Sequence, residues 1–224
     1  MITTILWDID GTLLDFKRAE VAAIRQCFAD VGFGQCPTAW LKDYQAINHR
    51  YWQLLEQGLI QREVLLIKRF EEFFDKYGLD VSKAVKFNEL YQRQLGTYAF
   101  YNQNGEEVVK RLKGRVLQCA VTNGTGTAQR GKLARSGLDQ LLDHIFISEE
   151  LGYNKPDVAF FDAVFAKIGF YPKDEVLIVG DSFSSDIQGG ISAGIRTCYY
   201  GAEACGAADY SITDLLAVEE LIMW

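Results

Sequence analysis

Two carboxylates and a hydroxyl follow the first apolar segment of the chain. Residues 2–7 are apolar with β-branched members, and Asp8, Asp10 and Thr12 come directly after them. This pattern predicts a buried strand that ends where the polar groups begin. Side chains alternate along an extended chain, so Asp8 and Asp10 point to one side. Two close carboxylates repel each other unless a cation lies between them, and oxygen-rich sites favour Mg²⁺.

Other chemically capable residues follow later apolar segments. Thr122-Asn123-Gly124 ends a predicted strand over residues 115–121, and Asp181 follows a second one over residues 175–179. Lys155 stands before a proline that opens a predicted helix, and Asp186 lies at the start of another. Ligands of open α/β sheets bind at the carboxyl ends of the strands, so these residues are candidates for one shared site.

Each of these residues also has a purely structural interpretation. Asp and Gly are common where a strand passes into a turn, and Asn123-Gly124 is a frequent turn pair. Asp181 is a possible helix N-cap, Asp186 a helix N-terminal acid, and Lys155 a solvated loop lysine. Because all the residues fall at the same predicted sheet edge, a common functional site is the better explanation.

The composition narrows the class of protein. The chain has 224 residues, of which 49% are hydrophobic, and a formal net charge of −7, which disfavours nucleic-acid and membrane surfaces as partners. Five cysteines without CxxC spacing fit reduced thiols in a cytoplasmic protein. We expect neither a signal peptide nor a membrane span. Monomer and homodimer both remain open.

The pattern of elements predicts a two-part α/β protein. After the first strand, hydrophobic periodicity predicts four helices with no strand between them, over residues 17–32, 40–57, 61–77 and 81–95. From residue 104 onward, predicted strands alternate with helices, which indicates a doubly wound, Rossmann-like parallel sheet. We therefore expect a core of residues 1–14 and 100–224 and an inserted helical cap of residues 15–99. Residues 14–18 and 96–104 are the expected hinge.

The polar segments together resemble the four ordered motifs of haloacid-dehalogenase-like phosphatases. The matching residues are Asp8-Ile9-Asp10-Gly11-Thr12-Leu13, Thr122-Asn123-Gly124, Lys155-Pro156 and Gly180-Asp181-Ser182 with Asp186. The resemblance implies a Mg²⁺-dependent phosphatase in which Asp8 attacks phosphorus and forms an aspartyl-phosphate. Asp10 would then be the acid and base. Thr122 and Lys155 would bind phosphoryl oxygens, while Asp8, the Asp10 carbonyl, Asp181 and Asp186 would serve the metal.

The family contains other activities that the sequence must be weighed against. A haloalkanoic-acid dehalogenase needs neither the acid/base Asp10 nor a metal, so Asp10, Gly11 and Thr12 favour phosphate esters. A hexose phosphomutase would use the same core. Phosphatases of sugar phosphates and, from another class, a binding protein that keeps the fold without turnover are the remaining alternatives.

The cap segment looks like that of bacterial pyrimidine 5′-nucleotidases, which dephosphorylate nucleoside monophosphates. The similarity lies in residues 43–48, Trp52, Gly58, residues 69–71 and residues 147–150. Tyr44, Asn48 and Trp52 recur every fourth residue, so an aromatic face could stack on a base while the amide hydrogen-bonds it. Arg62 and Arg69 could reach phosphate or sugar, and Asn123 and Gly124 are further substrate-binding candidates. The alternative is that the aromatic residues form the core of the bundle and the arginines its surface.

Overall fold

A six-stranded parallel sheet forms the centre of the molecule. The structure is a computed structural model that describes residues 1–169 and 172–222. The strands are β1 (Thr4–Trp7), β2 (Leu117–Thr122), β3 (His144–Ile147), β4 (Val176–Gly180), β5 (Arg196–Tyr200) and β6 (Tyr210–Ile212). Their order is β3-β2-β1-β4-β5-β6, with every neighbouring pair parallel. The predicted doubly wound α/β architecture is confirmed.

The register brings three of the predicted polar segments together. Trp7, the last residue of β1, pairs with Ala120 of β2 on one side and with Val179 of β4 on the other. The carboxyl ends of these three strands therefore meet at one edge of the sheet. Whatever follows them in sequence must lie within reach of the same ligand.

Helices cover both faces of the sheet. They are α5 (Gly105–Leu112), α6 (Gly126–Ser136), α7 (Leu138–Leu141), α8 (Ser148–Leu151), α9 (Val158–Ile168), α10 (Gln188–Ala193) and α11 (Val218–Leu221). Ile5 and Trp7 of β1 pack in one apolar cluster with Val109 of α5, whereas Leu6 packs in a second cluster with Phe160 of α9. This alternation, with both sets buried, explains the continuous apolar character of the strands.

Four helices between β1 and α5 form the predicted cap. They are α1 (Phe16–Asp30), α2 (Thr38–Glu56), α3 (Arg62–Lys76) and α4 (Ala84–Thr97), the last preceded by a 3₁₀ turn. Their apolar faces meet in a third cluster rich in aromatic rings, including Phe28, Phe70, Phe73 and Phe87. The existence of the four helices is confirmed, whereas the domain bounds given above remain a prediction.

The cap helix α4 packs closely against the core helix α6 at a pair of glycines. A Cβ atom on Gly131 of α6 would lie 2.6 Å from the Cα of Gly96 in α4, closer than packed atoms can approach. The two helix backbones therefore pass each other at a distance that only glycine permits.

The elements near the carboxyl terminus are short. After β6, the 3₁₀ turn Leu215–Ala217 continues directly into α11. The segment after β4, where Asp186 was expected at the start of a helix, is a π-helical turn, Phe183–Ile187, that continues into α10. Gly190 lies where α10 packs on the sheet, and a Cβ there would lie 2.7 Å from the side chains of Ile178 and Thr197. Gly189 lies where α10 packs on α9, and a Cβ there would lie 2.9 Å from the ring of Phe161.

Among the residues that the structure describes, none of the helices combines the length and the apolar character that crossing a bilayer requires.

Candidate active site

Asp8 lies directly after β1, at the carboxyl edge of the sheet. Its backbone N–H still donates to the carbonyl of Val179 at 2.9 Å, so the sheet fixes the position of the residue. The hydroxyl of Thr12 donates to Asp8 Oδ2 at 3.1 Å and accepts the N–H of Asp181 at 3.0 Å. Thr12 therefore links the loop after β1 to the loop after β4.

Glycines allow the acidic loops to approach each other. Gly11 has a φ of +104°, and a Cβ there would overlap the carboxylate of Asp181. A Cβ on Gly180 would likewise overlap the carboxylate of Asp186. Side chains are excluded at both glycines, and this lets Asp181 and Asp186 fold back over the end of β1.

Asp186 is delivered by the π-helical turn after β4. The turn begins after Ser182, whose N–H donates to Asp186 Oδ2 at 3.1 Å. The carboxylate is fully buried and faces the side chains of Asp8 and Lys155. A π-turn widens the helix by one residue per turn, and such turns are common at functional sites.

Lys155 supplies a positive charge between the acids. Its ammonium donates to Asp8 Oδ1 at 2.9 Å, to Asp186 Oδ1 at 2.6 Å and to the carbonyl of Val121 at 2.8 Å. Burial opposes this charge, but Asp186 and Asp8 more than offset it and raise the pKa of Lys155 above its usual value. The lysine is therefore charged at every physiological pH.

One ammonium does not balance the three acids. Ligand oxygens of Asp8, Asp181 and Asp186 lie within 4.8 Å of one another, the one such group found in the described part of the chain. Burial, together with repulsion from Asp186, raises the pKa of Asp181 to about 7, and burial also raises the pKa of Asp8 well above its usual range. Three crowded oxygen ligands that resist ionisation without a further cation fit a hard divalent ion such as Mg²⁺.

Asn123 ties the second motif to the third. Its side-chain oxygen accepts the N–H of Lys155, and its side-chain NH₂ donates to the carbonyl of Lys155, both at 2.8 Å. The amide predicted to contact substrate thus holds the backbone of Lys155 in place. Thr122 and Gly124, on either side, line the cleft above Asp8.

Asp10 faces away from the acidic cluster. Both of its carboxylate oxygens contact the ammonium of Lys132, at 2.7 and 2.6 Å, and Gln129 donates to one of them at 2.7 Å. Lys132 and Gln129 belong to α6. No feature of the sequence pattern around residue 130 pointed to them.

A cleft of about 840 Å³ lies between the cap and the carboxyl edge of the sheet. This volume is within the range of small-molecule sites. Most of the predicted site residues line it: Asp8, Asp10, Asn48, Trp52, Arg69, Thr122, Asn123, Gly124, Lys155, Asp181 and Asp186.

Tyr44 is not part of this cleft, and its predicted contact with a base is wrong for this structure. The ring is fully buried in the cap, where it stacks on Phe70 with the ring centroids 5.3 Å apart. The bundle-core interpretation of the aromatic spacing therefore holds for Tyr44, whereas Trp52 is only half-buried and faces the cleft.

A buried polar network forms the roof of the cleft. Asn48 donates to Glu20 Oε1 at 3.0 Å and accepts from Arg69 at 2.6 Å, and Arg69 also donates to Asn88 at 3.1 Å. The network joins all four cap helices. Glu20, which the sequence patterns did not single out, is almost fully buried, and this burial raises its pKa to about 7.

Arg62 connects the cap to the core and does not line the cleft. Its guanidinium donates to the carbonyl of Gly124 and to the hydroxyl of Ser148, both at 2.6 Å, and to the side chain of Asn154. A second cap–core contact joins the π-helical turn to α2, where Ser184 donates to Glu56 at 2.6 Å. The cap is thus hydrogen-bonded to the core through side chains of both α2 and α3.

Comparison with known proteins agrees with this geometry. The sequence model described as haloacid dehalogenase-like hydrolase matches residues 5–200. The pyrimidine 5′-nucleotidase PynA of Streptococcus pneumoniae is 34% identical over 197 residues, which cover 88% of this chain and 82% of that protein. The pyrimidine 5′-nucleotidase YjjG of Escherichia coli is 30% identical over 198 residues, covering 88% and 85%.

The fold also matches a solved structure closely. The HAD-hydrolase YfnB of Bacillus subtilis, in a form bound to magnesium, superposes with a TM-score of 0.91 at 29% identity, covering 99% of this chain and 98% of that one. The similarity includes both the sheet and the cap helices.

Proposed function

Since this chain belongs to the haloacid dehalogenase-like hydrolases, we propose that it is a Mg²⁺-dependent phosphomonoesterase that acts on nucleoside monophosphates through an aspartyl-phosphate. It is a phosphoric monoester hydrolase, like the 5′-nucleotidases PynA and YjjG named above. The observation that carries the proposal is the convergence of Asp8, Asp181 and Asp186 around Lys155 at the carboxyl edge of the sheet.

The metal would be held by the carboxylates of Asp8, Asp181 and Asp186, together with the backbone carbonyl of Asp10. When bound, Mg²⁺ supplies positive charge that neutralises the phosphoryl oxygens and screens the acids from one another. YfnB, the structural relative bound to magnesium, supports this assignment.

Asp8 is the nucleophile of this proposal. Lys155 binds its Oδ1 and Thr12 binds its Oδ2, so the carboxylate is held in one orientation at the floor of the cleft. An oriented nucleophile lowers the entropic part of the barrier for in-line attack on phosphorus. Lys155 and Thr122 border the same space and would bind the remaining phosphoryl oxygens.

Asp10 is the proton donor to the leaving oxygen and the base for the water that follows. Its side chain lies outside the cluster of potential metal ligands and lines the cleft. The two carboxylates at positions 8 and 10 are therefore separated into two roles by what they contact.

The roof of the cleft supports a nucleoside as the rest of the substrate. Trp52 lines the cleft, as do Asn48 and Arg69 of the buried polar network. An aromatic face with fixed hydrogen-bonding groups suits a nucleobase.

The five cysteines include no disulfide, which supports a reduced, cytoplasmic environment for this enzyme.

The test is a Mg²⁺-dependent assay of the purified protein on UMP, dTMP, glucose 6-phosphate and p-nitrophenyl phosphate. We expect turnover of all aryl and nucleotide esters that is lost with EDTA and in Asp8→Asn, with UMP or dTMP preferred over glucose 6-phosphate. Trp52→Ala should reduce the nucleotide activity more than the activity on glucose 6-phosphate. Equal losses on both would exclude base contact by Trp52, and activity in Asp8→Asn would exclude the mechanism.

A further inference from the structure

The side chain of Asp10 is held by two residues of α6. Lys132 contacts both carboxylate oxygens at 2.6 and 2.7 Å, and Gln129 donates to Oδ2 at 2.7 Å. These three contacts define the position and the rotation of the carboxylate plane. Asp8 and Asp186, by contrast, share the ammonium of Lys155.

The side chain of Lys132 is more deeply buried than that of Asp10. Only 2% of its side chain is exposed, against 22% for Asp10. Its ammonium lies 4.9 Å from the centre of the Phe16 ring at the start of α1. α6 itself is fixed at its start by the side chain of Thr125, which accepts the N–H of Ala128, and it packs on α4 at Gly131.

A buried lysine needs a reason, since moving an ammonium out of water costs several kcal/mol unless it is paired. Asp10 is its carboxylate partner, and this partner is the residue that must meet the leaving oxygen. Without these contacts the side chain of Asp10 would rotate among several rotamers. A general acid acts only from the orientation that reaches the reacting atom.

We propose that Lys132, with Gln129, is the positioning residue for the acid and base of this enzyme. The inference rests on the function proposed above and names a further residue of the same site. In the first step the bond from Asp8 to phosphorus forms, the ester P–O bond breaks, and the proton of Asp10 passes to the leaving oxygen. Asp10 then becomes the carboxylate that Lys132 and Gln129 bind.

The second step uses the same contacts in reverse. Water attacks phosphorus, the bond from phosphorus to Asp8 breaks, and Asp10 takes the proton of the water. The two steps together convert ester and water into alcohol and phosphate. Lys132 touches neither phosphorus nor leaving oxygen in this scheme, and it acts by holding Asp10 where both protons pass.

The experiment compares substituted phenyl phosphates, which share the ring and differ in how strongly the leaving oxygen needs a proton. p-Nitrophenolate leaves without protonation, whereas unsubstituted phenolate and alkoxides depend on it. For Lys132→Met we expect kcat/KM for phenyl phosphate to fall about 100-fold, within the range of general acid catalysis. The kcat/KM for p-nitrophenyl phosphate should change only a few-fold, and Asp10→Asn should give the same selective loss.

Two further variants separate positioning from folding. Lys132→Arg keeps the charge and should recover most of the phenyl phosphate activity. Gln129→Leu should give a weaker version of the same selective loss, and it tests the proposal even where Lys132→Met does not fold. In the Asp10→Asn background, Lys132→Met should cause no additional loss, since both substitutions remove one function.

Equal losses on all leaving groups, or additive losses in the double variant, would overturn the role of Lys132 and leave the phosphatase assignment intact. A wild-type protein that hydrolyses no phosphate ester in the presence of Mg²⁺ would instead contradict the proposed function.

Discussion

The ammonium of Lys155 lies 2.6 Å from Oδ1 of Asp186, and 1% of each side chain is exposed. The two residues come from different segments, Lys155 from the loop before α9 and Asp186 from the π-helical turn after β4. Because neither charge can reach water, each depends on the other, and the same ammonium also serves Asp8. The site is thus built on a charge arrangement that the fold must stabilise before any substrate binds.

Lys155→Met should destabilise the protein strongly. Breaking a buried ion pair leaves unpaired carboxylates and costs about 3–5 kcal/mol. The free energy of unfolding, measured with urea in the absence of Mg²⁺, should fall by that amount, and turnover should disappear. Adding Asp186→Asn should recover part of the stability, since it removes one of the stranded charges.

Lys68→Met is the matched control for this prediction. Lys68 pairs with Glu71 on the surface of the cap with 56% of its side chain exposed, so its loss should cost less than about 1 kcal/mol. A Lys155→Met variant as stable as this control would show that the buried pair contributes nothing.

Mg²⁺ should raise the melting temperature of the wild type, because an ion that binds only the folded state stabilises it. Asp181→Asn should lose most of this shift. Without Mg²⁺ the variant should be at least as stable as the wild type, since burial and Asp186 raise the pKa of Asp181 to about 7 and so oppose its charge. Differential scanning fluorimetry with and without MgCl₂ measures both effects, with Asp75→Asn on the cap surface as control. An undiminished shift in Asp181→Asn would remove Asp181 from the metal site.

Glu20 should make the stability depend on pH. Burial raises its pKa from 4.5 to about 7, so the folded state holds the proton more tightly than the unfolded state does. The stabilisation is complete below the unfolded pKa and is lost as the pH rises through about 7. Glu20→Gln should flatten this dependence and leave the variant more stable than the wild type at pH 8.

Urea unfolding at several pH values between 4 and 8 tests the sign. The expected gain of Glu20→Gln at pH 8 is up to about 3 kcal/mol. Glu89→Gln, at an exposed residue that pairs with Lys86 on α4, should leave the pH dependence of the wild type unchanged. Parallel curves for wild type and Glu20→Gln would mean that Glu20 ionises freely in the folded state.

Gly131→Ala should destabilise the protein, although the same change in an open helix stabilises by about 1 kcal/mol. The added Cβ would lie 2.6 Å from the Cα of Gly96, so the cap helix has to move away from the core. Overpacking of this kind costs about 1–3 kcal/mol. Gly206→Ala, where a Cβ meets nothing within 4 Å, is the control. A Gly131→Ala variant more stable than wild type would show that the two helices separate without cost.

The acidic half of the site was predictable because its causes are local. Asp8 and Asp181 each follow a run of apolar residues, and parallel strands with covered faces bring such strand ends to one edge. Lys155 and Asp186 were also predictable, because Lys155 stands before a proline that opens a helix and Asp186 lies at the start of a predicted helix. The order of the strands was not needed to place these residues together.

The residues that support the site were not predictable, because packing between elements distant in sequence determines where their side chains lie. The sequence of α6 does not distinguish Lys132 from the other polar residues of that helix, and only the packing of α6 on the loop after β1 brings it to Asp10. The four-residue spacing predicted that Tyr44 and Trp52 lie on one face, but each step of four residues turns a helix by about 40° beyond a full turn. Two steps therefore rotate Trp52 by about 80° from Tyr44, far enough to pass from the bundle core to the cleft.

The bracing of Lys155 by Asn123 has a consequence for the ageing of the enzyme. Asn123 precedes glycine, the sequence context in which asparagine most readily loses its amide nitrogen to form aspartate. Such a change replaces the NH₂ that binds the Lys155 carbonyl with an oxygen that repels it. In the native fold both amide atoms are engaged, which resists the ring closure that deamidation requires. Long storage under partly unfolding conditions should therefore yield chains that refold around a misplaced lysine.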